Sequence, residues 1–399
     1  MVFIFDCEKK IAHKANNVCV KNSQMFSAEN GFGTDLGTRA NTRTPFYFSV
    51  RLPEGNYRVT AVLGSASSNT HIGIKAESRR LFLPLTSMAK NQFLTTDFIV
   101  NTRTPRLTPP EKNAPGGDKV FIKAGEQQGF NWDDKLTLEF LGDAPYVKEI
   151  HIEAVDVPVI YLMGDSTVTD QEHEPAASWG QMLPVFFNNK IAVANHAESG
   201  ETLKSFISSL RFAKIIESVK EGDYVLIQFG HNDQKKNWPQ TYVEANTTYK
   251  DYLRTVASEI TLRGATPVLV TSMQRRNFDE SGKVINTHGD YPNAVRDLAR
   301  ELTINLVDLE KISHVLYPAL EPHSHTAFNE NGKDRTHHNN YGAYLFAAAV
   351  ASELSKVKSP LAQWLKKDFT PLDPHNPLGE ETLKIPVSMK QSNVRPDGN

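Results

Sequence analysis

The segment Val159-Ile160-Tyr161-Leu162-Met163-Gly164-Asp165-Ser166-Thr167 decides the fold of this chain. It begins as an apolar run of strand character, which stops at Gly164 and is followed by the small polar residues Asp165, Ser166 and Thr167. A buried parallel strand has a continuous apolar run of this kind, whereas a half-exposed strand alternates. Ligands of open α/β sheets bind just beyond the carboxyl ends of such strands, so Ser166 is a candidate nucleophile. For this segment alone, an ordinary β-turn is the alternative interpretation.

The chain continues from this segment as an alternation of strands and helices. Candidate strands lie at 159–163, 191–194, 224–229, 267–271 and 305–309, and helical patterns lie at 203–219, 249–263, 293–302 and 340–357. Ser178 and Gln181 match a capping box, which predicts a helix that carries Met182, Leu183, Val185 and Phe186. This alternation predicts an α/β domain over 157–370, a three-layer, doubly wound parallel sheet with helices on both faces. Residues 371–399 are rich in proline and polar residues, and we expect an irregular tail.

The first part of the chain has strand patterns and no convincing helical period. Residues 46–52 alternate, Pro53-Glu54-Gly55-Asn56 is a turn signal, and residues 57–63 resume the strand period. Further short segments of this kind lie at 119–122, 135–140 and 147–154. Residues 1–156 are therefore predicted to form an all-β sandwich of the jelly-roll, galactose-binding-like type. Such sandwiches serve both as sugar-binding modules and as structural partners, so its role stays open.

Composition excludes several classes of protein. The 399 residues are 39% apolar and 23% charged, which is typical of a soluble globular chain with a full core. The formal net charge is −2 and no basic tract stands out, which argues against nucleic acid and polybasic membrane binding. No apolar stretch approaches the roughly 20 residues that span a bilayer. The length favours two domains.

The N-terminal region bears on disulfides and location. Cys7 and Cys19 are the only cysteines; one disulfide is possible, but two free, mostly buried thiols are favoured. The first residues lack the basic start and sustained apolar core of a signal peptide. This leaves a cytoplasmic protein or one whose signal peptide is absent from this sequence, and we expect the latter, a periplasmic or secreted protein.

Three more polar segments fall where a doubly wound sheet forms its active site. Gly200 follows the second predicted strand at a turn where its backbone N–H can point into a cleft. Asn232, in Gly-His-Asn-Asp after the third strand, offers an amide donor at the same rim. Asp334 and His337 precede the last helix, and their spacing lets one loop bring the imidazole onto the carboxylate. Each segment alone has an ordinary structural explanation, but the set in this order predicts nucleophilic catalysis.

These four segments resemble the conserved blocks of the SGNH (GDSL-type) hydrolase superfamily, over roughly the last 240 residues. Gly-Asp-Ser-Thr-Val-Thr-Asp and Asp-x-Thr-His-x-x-x-Tyr-Gly-Ala are most similar to the rhamnogalacturonan acetylesterase group. The resemblance implies a flavodoxin-like sheet, with Ser166 as nucleophile, His337 as general base and Asp334 as its orienting acid. It also implies an oxyanion hole made of the backbone N–H of Ser166, the N–H of Gly200 and the side chain of Asn232. No metal or organic cofactor is implied.

Two residues depart from the pattern of that group. Glu201 stands where acetylesterases often carry arginine, which leaves the sugar open, and His338 stands where relatives commonly have an apolar residue. The spacing favours His337 as the base, and His338 is expected at most to line the cleft.

The sequence thus predicts a serine carbohydrate esterase that removes acetyl groups from a pectic polysaccharide of plant cell walls. A lipase-like or thioester hydrolase is the first alternative, since fold does not fix substrate. The polar loops near the four blocks favour a small acyl group on a sugar (Asn195, His196, Glu201, Gln234, Lys235, Lys236). A carbohydrate-binding protein with an inactive esterase domain is the second alternative, which would lack one of Ser166, Asp334 and His337. Because all four blocks follow Val157, the sandwich is expected to be an accessory module.

Overall fold

A computed structural model of the chain describes residues 1–5, 17–356 and 360–397. The first half forms two five-stranded sheets, in the orders β2-β1-β10-β5-β8 and β3-β4-β9-β6-β7. The strands are β1 (Val2–Phe5), β2 (Asn17–Val20), β3 (Phe32–Asp35), β4 (Phe46–Arg51), β5 (Gly55–Leu63), β6 (Thr70–Ala76), β7 (Arg80–Met88), β8 (Leu94–Thr102), β9 (Lys135–Ala144) and β10 (Val147–Ala154). Their pairings are antiparallel except for the parallel pair β1 and β2.

Alternating side chains of the two sheets share one apolar core. In β5 the buried residues Val59, Ala61 and Leu63 alternate with half-buried ones, as expected for a sheet covered on one face. Phe3 of one sheet contacts Phe48 of the other edge to face, with ring centroids 5.2 Å apart. These features are compatible with the predicted all-β sandwich. The predicted strand at 119–122 is wrong: Lys119 forms only an isolated bridge to Arg106.

The second half is a parallel sheet in the order β12-β11-β13-β14-β15, with β11 (Val159–Gly164), β12 (Ala192–Asn195), β13 (Tyr224–Gln228), β14 (Thr266–Val270) and β15 (Asn305–Val307). This is the 2-1-3-4-5 order of flavodoxin-like sheets. The seven helices described are α1 (Trp179–Met182), α2 (Leu203–Ser208), α3 (Arg211–Ser218), α4 (Lys250–Leu262), α5 (Tyr291–Leu302), α6 (Leu309–Ala319) and α7 (Asn340–Lys356). The prediction of an α/β domain with a parallel sheet is confirmed.

Both faces of this sheet are covered by helices. In β11, Ile160 and Leu162 pack into the core that contains Trp179 of α1 and Phe346 of α7. Tyr161 and Met163 face the opposite core, which holds apolar residues of α2, α3, α4 and α5. Because alternate residues of one strand belong to different cores, the strand is apolar throughout, and this explains the continuous run seen in the sequence.

Three helix predictions need correction. The pattern at 203–219 is two helices, because Leu210 adopts φ 64°, a left-handed backbone that ends a right-handed helix. Ser178 caps α1 as predicted, yet the next residues, Leu183–Phe186, form a 3₁₀ turn that includes Pro184. The sequence prediction missed α6, whose first residue, Leu309, falls at the end of the predicted strand 305–309, and the side chain of Asp308 caps it.

Cys19 is disulfide-bonded, so the preference for a free thiol at this position is wrong. Cys7, the other cysteine of the chain, lies outside the described residues. None of the helices in the described ranges is long and apolar enough to cross a membrane.

Buried ion pairs join the two halves of the chain. Arg80 of β7 places Nε 2.6 Å from Asp170 Oδ2, and both side chains are fully buried. Glu174 binds Arg79 (2.7 Å) and Lys75 (3.2 Å), again with little solvent exposure. Burial by itself raises the pKa of Glu174, but the charges of Arg79 and Lys75 lower it to about 2. Buried cations of the first half therefore neutralise buried carboxylates of the second half. This pairing argues against a sandwich that is a detachable module.

The tail packs across this junction. Within residues 371–397 we find one 3₁₀ turn (Glu380–Thr382) and otherwise irregular chain. Ser388 is buried, donates its hydroxyl to Glu139 Oε2 (2.8 Å) and its backbone N–H to Glu174 Oε1 (2.8 Å). It also accepts a hydrogen bond from Lys75 Nζ at 3.0 Å. The tail is irregular, as expected, but this part of it is fixed between the two halves.

Candidate active site

The turn after β11 presents Ser166 at the carboxyl edge of the sheet. Gly164 ends the strand where the chain is crowded, since a Cβ there would lie 2.4 Å from a methyl group of Val168. Asp165 Oδ1 accepts hydrogen bonds from the backbone N–H (2.9 Å) and hydroxyl (2.8 Å) of Thr167. Gln228, at the end of β13, donates to the same hydroxyl oxygen at 2.6 Å. The Gly-Asp-Ser-Thr sequence therefore forms a turn that is fixed by its own side chains and by Gln228 of β13.

Ser166, His337 and Asp334 lie in one hydrogen-bonded chain. His337 Nε2 is 2.8 Å from Ser166 Oγ, and His337 Nδ1 is 2.8 Å from Asp334 Oδ2. Asp334 Oδ1 accepts the backbone N–H groups of Thr336 (2.9 Å) and His337 (3.0 Å), so the loop orients its own carboxylate. Ser166 lies in the turn after β11, whereas Asp334 and His337 lie in the loop before α7. The structure brings together the three residues that the sequence predicted at this site.

The electrostatics of the hydrogen-bonded residues Ser166, His337 and Asp334 suit proton transfer. Burial raises the pKa of Asp334, but its hydrogen bonds and charge interaction with His337 and the backbone donors lower it to about 2. The carboxylate therefore stays ionised and holds the proton of His337 on Nδ1. That tautomer turns the lone pair of Nε2 towards the hydroxyl of Ser166, where it can accept the serine proton.

The side chain of His338 points away from Ser166, His337 and Asp334 and into the core. Its Nε2 lies 3.1 Å from the Tyr317 hydroxyl, and its ring packs against Phe328 and Phe346 with centroids 4.5 and 4.7 Å apart. Burial lowers its pKa to about 3, which keeps the imidazole neutral. His338 is 2% exposed, so it does not line the cleft, which is within the expectation that it lines the cleft at most.

The two other predicted residues, Gly200 and Asn232, meet at the loop after β12. Gly200 has φ +78°, a left-handed conformation that favours glycine. Asn232 Nδ2 donates to the carbonyl of Glu201 at 3.0 Å, and Lys235 Nζ donates to Asn232 Oδ1 at 2.9 Å. The structure therefore fixes the Asn232 amide beside the Gly200 turn, at the same edge of the sheet as Ser166.

Glu201 and Lys123 form a contact that sequence reasoning missed. The Glu201 side chain is 3% exposed and lies 2.9 Å from Lys123 Nζ, which comes from the first half of the chain. The same ammonium group donates to the carbonyl of Ser199, directly before Gly200. The sequence contained one signal of this contact, because Glu201 stands where related acetylesterases often carry arginine. A buried carboxylate at this position needs a cation from another part of the chain.

A second acid and imidazole pair lies below the turn. His231 Nδ1 is 3.3 Å from Asp165 Oδ2, and both side chains are buried. Arg275 donates to the carbonyl of His231 at 3.3 Å. Burial lowers the pKa of His231, although the charge of Asp165 opposes that shift. The motif Gly-His-Asn-Asp alone indicates a donor only at Asn232 and predicts no role for His231.

Two polar residues expected near the cleft are directed elsewhere. Asn195 donates to the carbonyl of Val168 (2.6 Å) and to Asp170 (2.8 Å), inside the protein. The ring of His196 lies against Trp132 and Tyr161, towards the sandwich. Asn195 and His196 therefore do not support the prediction of a sugar substrate, which was drawn from polar loop residues. In the described ranges, no three His, Cys, Asp or Glu side chains come together as metal ligands would.

Comparisons with known proteins identify relatives of the second half of the chain. The model of the GDSL-like lipase/acylhydrolase family matches residues 160–350. A rhamnogalacturonan acetylesterase of Bacillus subtilis (strain 168) is 38% identical over 220 residues, which cover 52% of this chain and 93% of that enzyme. A probable rhamnogalacturonan acetylesterase of the same strain is 34% identical over 213 residues, 52% of this chain and 98% of that protein.

A third relative extends into the first half of the chain. It is an uncharacterized esterase of the same strain, 24% identical over 325 residues, which cover 80% of this chain and 76% of that protein. The active-site geometry, the family match and the identity to acetylesterases lead to one conclusion: the chain belongs to the GDSL-like lipase/acylhydrolase family and is an ester hydrolase.

Proposed function

We propose that this protein is a serine carbohydrate esterase that removes O-acetyl groups from a pectic polysaccharide such as rhamnogalacturonan. The observation that carries the proposal is the unbroken contact from Ser166 Oγ through His337 to Asp334. The substrate class rests on the identity of 38% to a rhamnogalacturonan acetylesterase over the second half of the chain. A complete set of reacting residues argues against an inactive, purely sugar-binding domain.

In the proposed reaction, Ser166 Oγ attacks the acetyl carbonyl carbon while His337 Nε2 takes its proton. The negative charge then develops on the carbonyl oxygen, which we assign to the N–H groups of Ser166 and Gly200 and the amide of Asn232. His337 returns the proton to the sugar oxygen as the C–O bond breaks, which leaves an acetylated serine. Water, activated by the same imidazole, releases acetate and restores Ser166.

Acyl-chain preference tests this proposal. We expect acetate release from acetylated pectin fragments and hydrolysis of 4-nitrophenyl acetate, with little hydrolysis of 4-nitrophenyl palmitate or of an acyl thioester. Acetylated xylan serves as the control glycan, because it has the same ester on a neutral backbone. A preference for palmitate or for the thioester would overturn the carbohydrate proposal, and a preference for xylan would overturn the pectic one.

We further propose that Lys123 positions the Gly200 turn from the neighbouring half of the chain. Lys123→Met removes the cation of the buried Glu201 and the donor to Ser199, so the turn should lose its alignment. The expected result is a decrease in kcat for 4-nitrophenyl acetate of about 10-fold, with KM changed less. Lys220→Met is the matched control, because its partner Asp156 is 87% exposed and remote from the turn.

A double-mutant cycle distinguishes positioning from general damage. If Lys123 acts through Glu201, the two substitutions should not be independent. The decrease in kcat of the Lys123→Met, Glu201→Gln double variant should then be much smaller than the product of the two single fold-decreases. Unchanged kcat in Lys123→Met, or independent effects of the two substitutions, would contradict the assignment.

A further inference from the structure

A cavity of about 510 Å³ adjoins the Gly200 turn and is lined by residues of both halves of the chain. The first half contributes Phe121 and Lys123, and the second contributes Gly200, Glu201, Ser205, Ser208, Ser209, Trp238 and Thr241. Its volume lies in the range of roughly 300–1,000 Å³ that is typical of small-ligand sites. Gly200, whose N–H we assign to the oxyanion, is part of its wall, so the cavity adjoins one residue of the proposed acyl site. We call it the Phe121–Trp238 cavity.

Phe121 is held at the rim of this cavity without being buried. Its side chain is 65% exposed, although its backbone is fixed on both sides. Its N–H donates to the carbonyl of Ser209 at 2.9 Å, and its own carbonyl accepts from Arg211 Nη2 at 3.4 Å. Arg211 in turn is fully buried and paired with Glu126. A single exposed apolar side chain is ordinary, so the inference needs the second aromatic residue.

Trp238 is that second residue, on the loop that follows Asn232. It is partly exposed, and Lys235 Nζ lies 4.3 Å from its ring centroid. Its backbone N–H donates to the carbonyl of Lys235 at 2.8 Å, and its carbonyl accepts the N–H of Tyr242 at 2.8 Å. Both aromatic side chains are thus carried by backbone that is anchored within hydrogen-bonded turns.

Polar groups also line this cavity. The hydroxyls of Ser208 and Ser209 donate to the carbonyls of Ser205 and Phe206, each at 3.2 Å, which leaves lone pairs on both oxygens as acceptors. A sugar ring has C–H faces, which suit aromatic side chains, and hydroxyl edges, which suit such acceptors. A fatty acyl chain would leave these acceptors without partners.

We infer that the Phe121–Trp238 cavity is a sugar subsite, which holds residues of the glycan next to the acetylated one. The inference rests on the proposed function and adds that the two halves of the chain bind the substrate together. Phe121 and Trp238 cover the C–H faces of the sugar, and the serine oxygens accept hydrogen bonds from its hydroxyls. On this inference, a small ester such as 4-nitrophenyl acetate is bound without these contacts.

The test compares two substrates in the full chain. The measured quantity is kcat/KM for acetylated pectin fragments divided by kcat/KM for 4-nitrophenyl acetate. For Phe121→Ala and Trp238→Ala we expect this ratio to fall about 10-fold, the lower range for loss of an aromatic contact with a ligand. Phe121→Tyr, which keeps the ring, should stay close to the wild-type ratio. Phe93→Ala is the matched control, since Phe93 is a sandwich phenylalanine that is 44% exposed outside the cavity.

The outcomes separate the subsite from the proposed function. A wild-type protein active on both substrates, with the same ratio in Phe121→Ala and Trp238→Ala, would overturn the subsite alone. A wild-type protein that cleaves 4-nitrophenyl acetate but no acetylated pectin would overturn the pectic function and the subsite with it. An equal loss of the ratio in Phe93→Ala would also overturn the subsite.

Discussion

Replacing His337 by alanine should lower kcat/KM for 4-nitrophenyl acetate by about 10³-fold or more, the scale on which members of such triads act. The variant loses the imidazole whose Nε2 lies 2.8 Å from Ser166 Oγ, so no group remains to accept the serine proton. Asp334 would lose the imidazole partner of Oδ2 and keep the backbone N–H groups of residues 336 and 337 on Oδ1. Steady-state kinetics, with circular dichroism to verify the fold, measure the effect.

His338→Ala is the adjacent control. Its ring contacts Tyr317, Phe328 and Phe346, so we expect a lower midpoint of thermal unfolding. Folded His338→Ala should keep kcat within about 10-fold of the wild type, because it removes no member of the hydrogen-bonded chain. A severe loss of kcat in folded His338→Ala, with activity retained in His337→Ala, would reverse the assignment.

Arg80→Ala should destabilise the protein by about 3–5 kcal/mol, the usual cost of removing one partner of a buried ion pair. Arg80 donates to Asp170 at 2.6 Å, to the Asn101 carbonyl at 2.8 Å and to Asn131 Oδ1 at 3.2 Å. Without it, the fully buried carboxylate of Asp170 at the junction of the two halves loses its ion pair and keeps the hydrogen bond from the amide of Asn195.

Arg58→Ala is the control for this effect. Arg58 pairs with Glu153 at 2.7 Å, but the two side chains are 31% and 43% exposed. Exposed pairs contribute about 0–1 kcal/mol, so this variant should unfold near the wild-type urea midpoint. Equal, small shifts of the urea midpoint in both variants would show that the junction contributes little, and would support the sequence-based expectation of an accessory module.

The sequence predicted the elements whose signals are local. Every strand of the parallel sheet lies where an apolar run placed it, because strands buried on both faces cannot alternate. The position of Ser166, Gly200 and Asn232 at one edge of the sheet followed from topology, since the carboxyl ends of parallel strands meet there. The three-residue spacing of Asp334 and His337 placed both groups in one loop.

Features that depend on contacts distant in sequence could not be read in this way. The segment around Phe121 and Lys123 has strand-like composition. The backbone N–H of Phe121 nevertheless donates a hydrogen bond to the carbonyl of Ser209, which is 88 positions further along the chain. The break at Leu210 lacks a Gly or Pro signal, and apolar periodicity continues across it. His338 carries the same residue type as His337, and only packing shows that it belongs to the core.

Covalent labelling of Ser166 tests the central proposal most directly. A 4-nitrophenyl phosphonate reacts with an activated serine: the Oγ–P bond forms, and 4-nitrophenolate leaves. We expect one adduct per chain, which peptide mass mapping assigns to residue 166, no adduct at that rate in Ser166→Ala, and much slower labelling in His337→Ala. Labelling of another serine, or equal labelling of the wild type and Ser166→Ala, would contradict the account.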